Sequence, residues 1–134
     1  MNQVISKTEY EAIREKNCLF VFAEKPDEAI SLNTILARKI KEVSPGLRAI
    51  KLQKVFEQVL DELPGNPIIC DIDVLFNPAY RVDVLKILTE TDKQKNFTLV
   101  WPGIIEDGRL IYGEEGYADF KSYNMSDYNI ICVE

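Results

Sequence analysis

The chain predicts an α/β fold, a mainly parallel sheet flanked by helices with a hairpin near the C-terminus. Three observations carry that reading. Short apolar runs at residues 18–23, 68–71 and 97–101 alternate with longer stretches whose apolar residues recur at helical spacing. Those runs carry apolar residues on both faces, the pattern of strands covered by helices on both sides. Asp107-Gly108 stands between Ile104-Ile105 and Leu110-Ile111, and two residues willing to take positive φ between apolar pairs mark a tight hairpin.

Each element follows in order. Ser6-Lys7-Thr8-Glu9 has the form of a capping box, which opens a helix to about residue 15. The strand at 18–23 comes next and a turn at Pro26 ends it. Ile30-Ser31-Leu32 reads as a brief extended piece, with Asn33 capping a helix over 34–43 that buries Ile35, Leu36 and Ile40. Ser44-Pro45-Gly46 stops that helix. Leu52, Val55, Phe56, Val59, Leu60 and Leu63 then share one helical face, and Pro64-Gly65-Asn66-Pro67 turns the chain into the strand at 68–71. Asn77-Pro78 predicts the start of a further helix to about residue 91, with Pro78 in the first turn and Val82, Leu85 and Leu88 facing inward. The strand at 97–101 is closed by Pro102-Gly103, and residues 128–133 form a last strand. No internal repeat or linker interrupts the pattern, so residues 1–134 are read as a single domain.

Composition limits the function classes. With 46% apolar and 28% charged residues the chain is ordinary globular material, and a net charge of −6 disfavours direct nucleic-acid binding. No apolar run reaches the ~20 residues of a membrane span, and the first residues lack the apolar core of a secretion signal, so a cytoplasmic location is expected. Cys18, Cys70 and Cys132 are odd in number and lie in strand patterns, which suits reduced, buried thiols. Histidine is absent, which removes the usual general base and the commonest zinc ligand. The expectation is therefore no enzyme, no catalytic residue, no metal and no cofactor.

The strand Ile68-Ile69-Cys70-Asp71-Ile72-Asp73 is nevertheless of the kind that delivers an acid to Mg²⁺ in P-loop NTPases. Its companion in those proteins is a glycine-rich loop ending in Lys and Ser or Thr, whose backbone N–H groups cradle the phosphates. Here the segment after the first strand is Glu24-Lys25-Pro26-Asp27-Glu28-Ala29, with three acids and no glycine. A triphosphate would be repelled.

Leu75-Phe76-Asn77-Pro78-Ala79, Val84-Leu85-Lys86-Ile87-Leu88 and the run from Thr98-Leu99-Val100-Trp101-Pro102-Gly103 through Glu106-Asp107-Gly108-Arg109-Leu110-Ile111-Tyr112 together resemble BrxF, the small P-loop-containing component of type 3 BREX phage-defence systems. The likeness extends back to Leu32-Asn33 and Ala37-Arg38-Lys39-Ile40 and covers about three quarters of the chain. It implies a reduced P-loop-NTPase-like fold and a place in a multi-protein defence assembly whose other members do the chemistry. BrxF-like proteins carry a phosphate loop and its helix between the first strand and the segment matching Leu32-Asn33. This chain lacks that insert, and only Asp71, matching the acid of the magnesium strand, carries over.

Three sets of residues are candidates for function. Asp71 and Asp73, two apart, would share a face if the strand continued through them and could meet a metal or nucleotide, or could accept backbone N–H groups of the loop that follows. Arg38, Lys39, Lys41, Arg48, Lys51 and Lys54 form a basic stretch broken only by Glu42, suited to nucleic acid or an acidic partner, or to a solvated helix face. Trp101, Asp107, Tyr112, Tyr117, Phe120 and Tyr123 form an aromatic and acidic cluster, read as a protein-interaction surface or as a staple holding the hairpin to the sheet. The function expected is a non-catalytic interaction or scaffold protein with protein partners from a defence complex, or further copies of itself. The alternatives are a Mg²⁺-nucleotide switch or NTPase through Asp71 and Asp73, and a nucleic-acid adaptor through residues 38–54.

Overall fold

A computed structural model describes residues 4–13 and 18–134. The strands are β1 (Val4–Ile5), β2 (Leu19–Phe22), β3 (Ile30–Ser31), β4 (Ile68–Cys70), β5 (Thr98–Val100), β6 (Ile104–Glu106), β7 (Arg109–Tyr112), β8 (Lys121–Asn124) and β9 (Ile130–Val133). The helices are α1 (Lys7–Ile13), α2 (Asn33–Lys41), α3 (Arg48–Asp61) and α4 (Val84–Gln94). Six strands make one sheet in the order β1-β9-β2-β5-β4-β3 with every pairing parallel, and β6-β7-β8 make a separate antiparallel sheet. The predicted α/β class and parallel sheet are thus present, and the single expected hairpin is the first half of a three-stranded sheet.

Alternation along β2 shows how the two faces are filled. Leu19 and Val21 join Ile69 and Leu99 beneath the apolar stripes of α2, α3 and α4, including Leu36, Phe56 and Leu85. Phe20 and Phe22 point the other way, with Ile68, Cys70, Val100 and Val133, toward α1. Tyr10 of α1 packs edge-on against both phenylalanines, with centroids 5.2 and 4.9 Å apart, and its hydroxyl shares a 2.8 Å hydrogen bond with buried Thr98. Each such side chain taken wholly from water contributes about 1.5–3 kcal/mol. All three cysteines are buried and none forms a disulfide, Cys70 and Cys132 lying in β4 and β9 and Cys18 just before β2.

Local signals explain the ends of the elements. The capping box forms: Glu9 N–H donates to Ser6 Oγ at 3.2 Å while Ser6 N–H reaches Glu9 Oε1 at 3.5 Å. The predicted end of that helix, residues 14–15, lies outside the described residues. Asp107 and Gly108 both take positive φ, 50° and 73°, giving the expected two-residue turn between Glu106 and Arg109.

Several boundaries differ from the sequence reading. Asn33 is the first residue of α2 rather than its cap, a place taken by Leu32, whose buried side chain anchors the entry. The helix expected from Leu52 begins at Arg48, whose guanidinium donates to the carbonyls of Ile40 and Val43 at 3.1 and 3.0 Å and so closes the end of α2. Asn77-Pro78 opens a turn and not α4: the Asn77 side chain accepts from Ala79 N–H at 3.0 Å, and the helix waits for Asp83, whose carboxylate accepts from Lys86 N–H at 3.1 Å. β1 and β8 had no counterpart in the sequence reading.

Candidate functional site

In parallel sheets ligands sit beyond the carboxyl ends of the strands, where neighbouring connections diverge. Here that place is the end of β2, between β9 and β5. A cavity of about 510 Å³ opens there, lined by Lys7, Phe22, Ala23, Glu24, Val133 and Glu134. A second, of about 320 Å³, lies on the α1 side of the sheet over Phe22 and Ile68, between Lys7, Tyr10 and Glu11 of α1 and Pro26, Glu28 and Ile30. Neither is lined by Asp71 or Asp73. Residues 23–29 run from β2 to β3 with no helix between them and one turn, closed by Ala29 N–H on the Pro26 carbonyl at 3.2 Å.

The two acids singled out in the sequence part company. β4 ends at Cys70, one residue earlier than expected, so Asp71 and Asp73 do not alternate along a strand. Asp71 adopts φ 57°, a left-handed turn that Asp tolerates better than most residues, and accepts the Cys70 thiol at 3.7 Å. Burial pushes the Cys70 thiol up, the Asp71 charge adds to the rise, and nearby Lys25 opposes it. Asp73 opens a 3-10 turn over Asp73–Phe76 and accepts the Tyr112 hydroxyl at 3.1 Å. Among the described residues no group of three or more His, Cys, Asp or Glu side chains is arranged to hold a metal ion.

The aromatic set divides in the same way. Trp101 is 3% exposed and its indole N–H donates to the Ile111 carbonyl at 2.9 Å. Phe76 stacks on Tyr112 with centroids 3.8 Å apart and meets Trp101 edge-on at 5.7 Å, and Trp101 in turn meets Tyr123 at 6.4 Å. Tyr128 extends the chain of rings and donates to Asp83 at 3.0 Å, the same carboxylate that caps α4. Burial, then the Asp73 charge, pushes the Tyr112 phenol up to about 12. Burial likewise takes Tyr123 to about 12, against the Val84 N–H and with Asp83. Trp101, Tyr112 and Tyr123 therefore hold the small sheet against the main one and are not an open surface. Phe120 is half-buried, whereas Asp107 is exposed and Tyr117 is 66% exposed. Asp83 was outside the predicted site, and its pairing with Tyr128 across 45 positions leaves no local signal.

Within the basic stretch Arg48 is consumed by the α2 carbonyls and Lys39 pairs with Glu62 at 3.2 Å. Arg38, Lys41, Lys51 and Lys54 remain exposed, beside Leu47 at 43% and Ile50 at 80% exposure.

The fold and this edge define an α/β protein with an acidic carboxyl end of the sheet and a stapled antiparallel appendage. No protein-family model matches the chain, and neither a curated protein nor a solved structure matches it. No helix among the described residues is long and apolar enough to cross a membrane.

Proposed function

We propose that the chain is a non-catalytic interaction protein, a scaffold of P-loop-NTPase-like descent in a bacterial phage-defence assembly of the BREX type. The observation that carries the reading is the β2–β3 connection. A phosphate loop needs successive backbone N–H groups turned toward the anion and a helix N-terminus behind them. The connection instead passes straight to β3 and places Glu24, Asp27 and Glu28 beyond β2. In the sheet, β5 lies between the strand that would precede a phosphate loop, β2, and the strand that ends beside Asp71, β4. Asp71 is then the remnant of the magnesium acid, turned into a left-handed bend and engaged by Cys70.

A ligand that binds only the folded state at a hundred times its Kd raises stability by about 2.7 kcal/mol. Thermal melts in millimolar ATP, GTP or ADP with Mg²⁺ are expected to show no shift. A saturable Mg²⁺-dependent shift that disappears in Asp71→Ala would overturn the reading in favour of a nucleotide switch. The assembly itself is tested by gene neighbours: defence genes are expected, and a setting of unrelated metabolic enzymes would refute it.

A further inference from the structure

Two exposed apolar patches of opposite charge remain after the fold has used its aromatic residues. The first runs along α3 and the turn before it. Leu47, Ile50, Lys51 and Lys54 follow the spacing i, i+3, i+4, i+7 and so share one outward face, opposite the buried stripe of Leu52, Val55, Phe56 and Val59. That face works against its own helix. A β-branched Ile50 left 80% exposed lowers helix propensity without gaining burial. The first turn of α3 has no acid, and Lys51 lies toward the helix end where a positive charge is unfavourable. Neither choice helps the folded monomer.

The second patch is on the small sheet. Ile104 is 59% exposed and pairs with Ile111, one residue before Tyr112, where the loop to β8 departs. That loop carries Tyr117 at 66% exposure with exposed Glu114 and Glu115, so both apolar side chains lie toward one end of the sheet beside acids. Glu106 is two positions from Ile104 and therefore on the same side of β6. Arg109, opposite Glu106, is engaged by Ser122 at 2.8 Å.

We infer that copies of this chain associate head to tail, the basic Leu47–Ile50 face of α3 in one copy seating on the acidic Ile104–Tyr117 face of the next. The charges select the pairing and each patch supplies the apolar centre the other lacks. Two different patches make a heterologous contact, which continues into a ring or filament rather than stopping at a dimer. The apolar residues amid the lysines favour a protein occupant over nucleic acid, since this face offers no aromatic ring on which a base could stack. The inference is independent of whether nucleotide binds.

Sedimentation velocity over a concentration series tests it with three proteins: the wild type, a basic-patch variant (K51E with K54E) and an acidic-patch variant (E114K with E115K). The wild type is expected to form concentration-dependent oligomers at low salt that weaken at least tenfold in 0.5 M NaCl. Each variant alone is expected to be monomeric, and their equimolar mixture to regain association, because each retains the half the other has lost and the two reversed patches are again opposite in charge. All substituted positions are exposed, and unchanged circular dichroism and melting confirm that the variants fold. A wild type monomeric at high concentration and low salt overturns the inference. So does a variant that still self-associates, or a monomer whose basic face instead binds an oligonucleotide in a manner lost in K51E with K54E.

Discussion

Substituting alanine for Gly103 is expected to destabilise the protein by about 2–4 kcal/mol, lowering the melting temperature by roughly 10 °C for a chain of this size. Gly103 follows Pro102 at the crossing between the two sheets. A Cβ there would lie 2.0 Å from the Ile111 carbonyl oxygen and 3.1 Å from Trp101 Nε1. The first of these is backbone, held in the β6–β7 pairing, and cannot swing aside as a long side chain would. The methyl group also intrudes on the 2.9 Å bond from the indole to that same carbonyl, the polar contact that ties the end of β5 to the small sheet. Relief requires β7 to move away from Trp101, which loosens the stack of Phe76 on Tyr112 as well. Trp101 is the only tryptophan, so its emission reports on the site directly. The variant is expected to show red-shifted fluorescence together with the lower melting point, measured by parallel thermal melts. A melting temperature within 1 °C of the parent would show that the two sheets are not locked at this crossing.

The sheet was legible in the sequence because its signals are local. Residues 18–23, 68–70 and 97–101 are short runs apolar at every position but Thr98, a pattern that suits a strand covered on both sides. The Asp107-Gly108 turn and the Ser6–Glu9 box are equally local, each complete within four residues. What escaped was decided at a distance. β8 reads Lys121-Ser122-Tyr123-Asn124, without an apolar alternation, and is a strand because β7 offers it a paired edge. The start of α4 was misplaced because Asn77-Pro78 and Asp83 both carry cap chemistry, and Asn77 spends its own on the Ala79 amide.

The candidate site shows the same division. Aromatic residues crowded near acids are consistent with an interface or a staple. Only the hydroxyl partners decide, and these lie 39 positions away for Tyr112 and 45 for Tyr128. Exposure of Ile50 and Ile104 is likewise invisible in a sequence whose helices and strands are rich in isoleucine. The lack of glycine in Glu24-Lys25-Pro26-Asp27-Glu28, by contrast, is a property of the sequence itself.

Replacing Asp92 by asparagine is expected to stabilise the protein at pH 8 and to leave it unchanged near pH 4. Asp92 is 4% exposed near the end of α4, beside buried Thr91, and accepts the Phe97 N–H at 3.3 Å. Burial pushes its carboxyl up to about 6 from 3.8, against the favourable pull of that N–H. The sign follows from proton binding. Between these two values the folded protein holds a proton that the unfolded chain has released, so stability falls as pH rises through the window. The full effect is present below about 4 and lost above about 6, and a shift of this size corresponds to roughly 2–3 kcal/mol. Asparagine offers the same acceptor oxygen to Phe97 without a charge to desolvate. The difference in stability between variant and parent should therefore grow from near zero at pH 4 to about 2 kcal/mol at pH 8, or about 5–10 °C in melting temperature. Asp92→Ala separates charge from hydrogen bond, because it removes both and leaves the buried amide of Phe97 unsatisfied at a cost of about 1–3 kcal/mol. It should melt below the asparagine variant at every pH. Denaturant titrations of the three proteins from pH 4 to 8 read these differences, and a difference curve for Asp92→Asn that stays flat across the range would mean the carboxyl is ionised without penalty in the folded state.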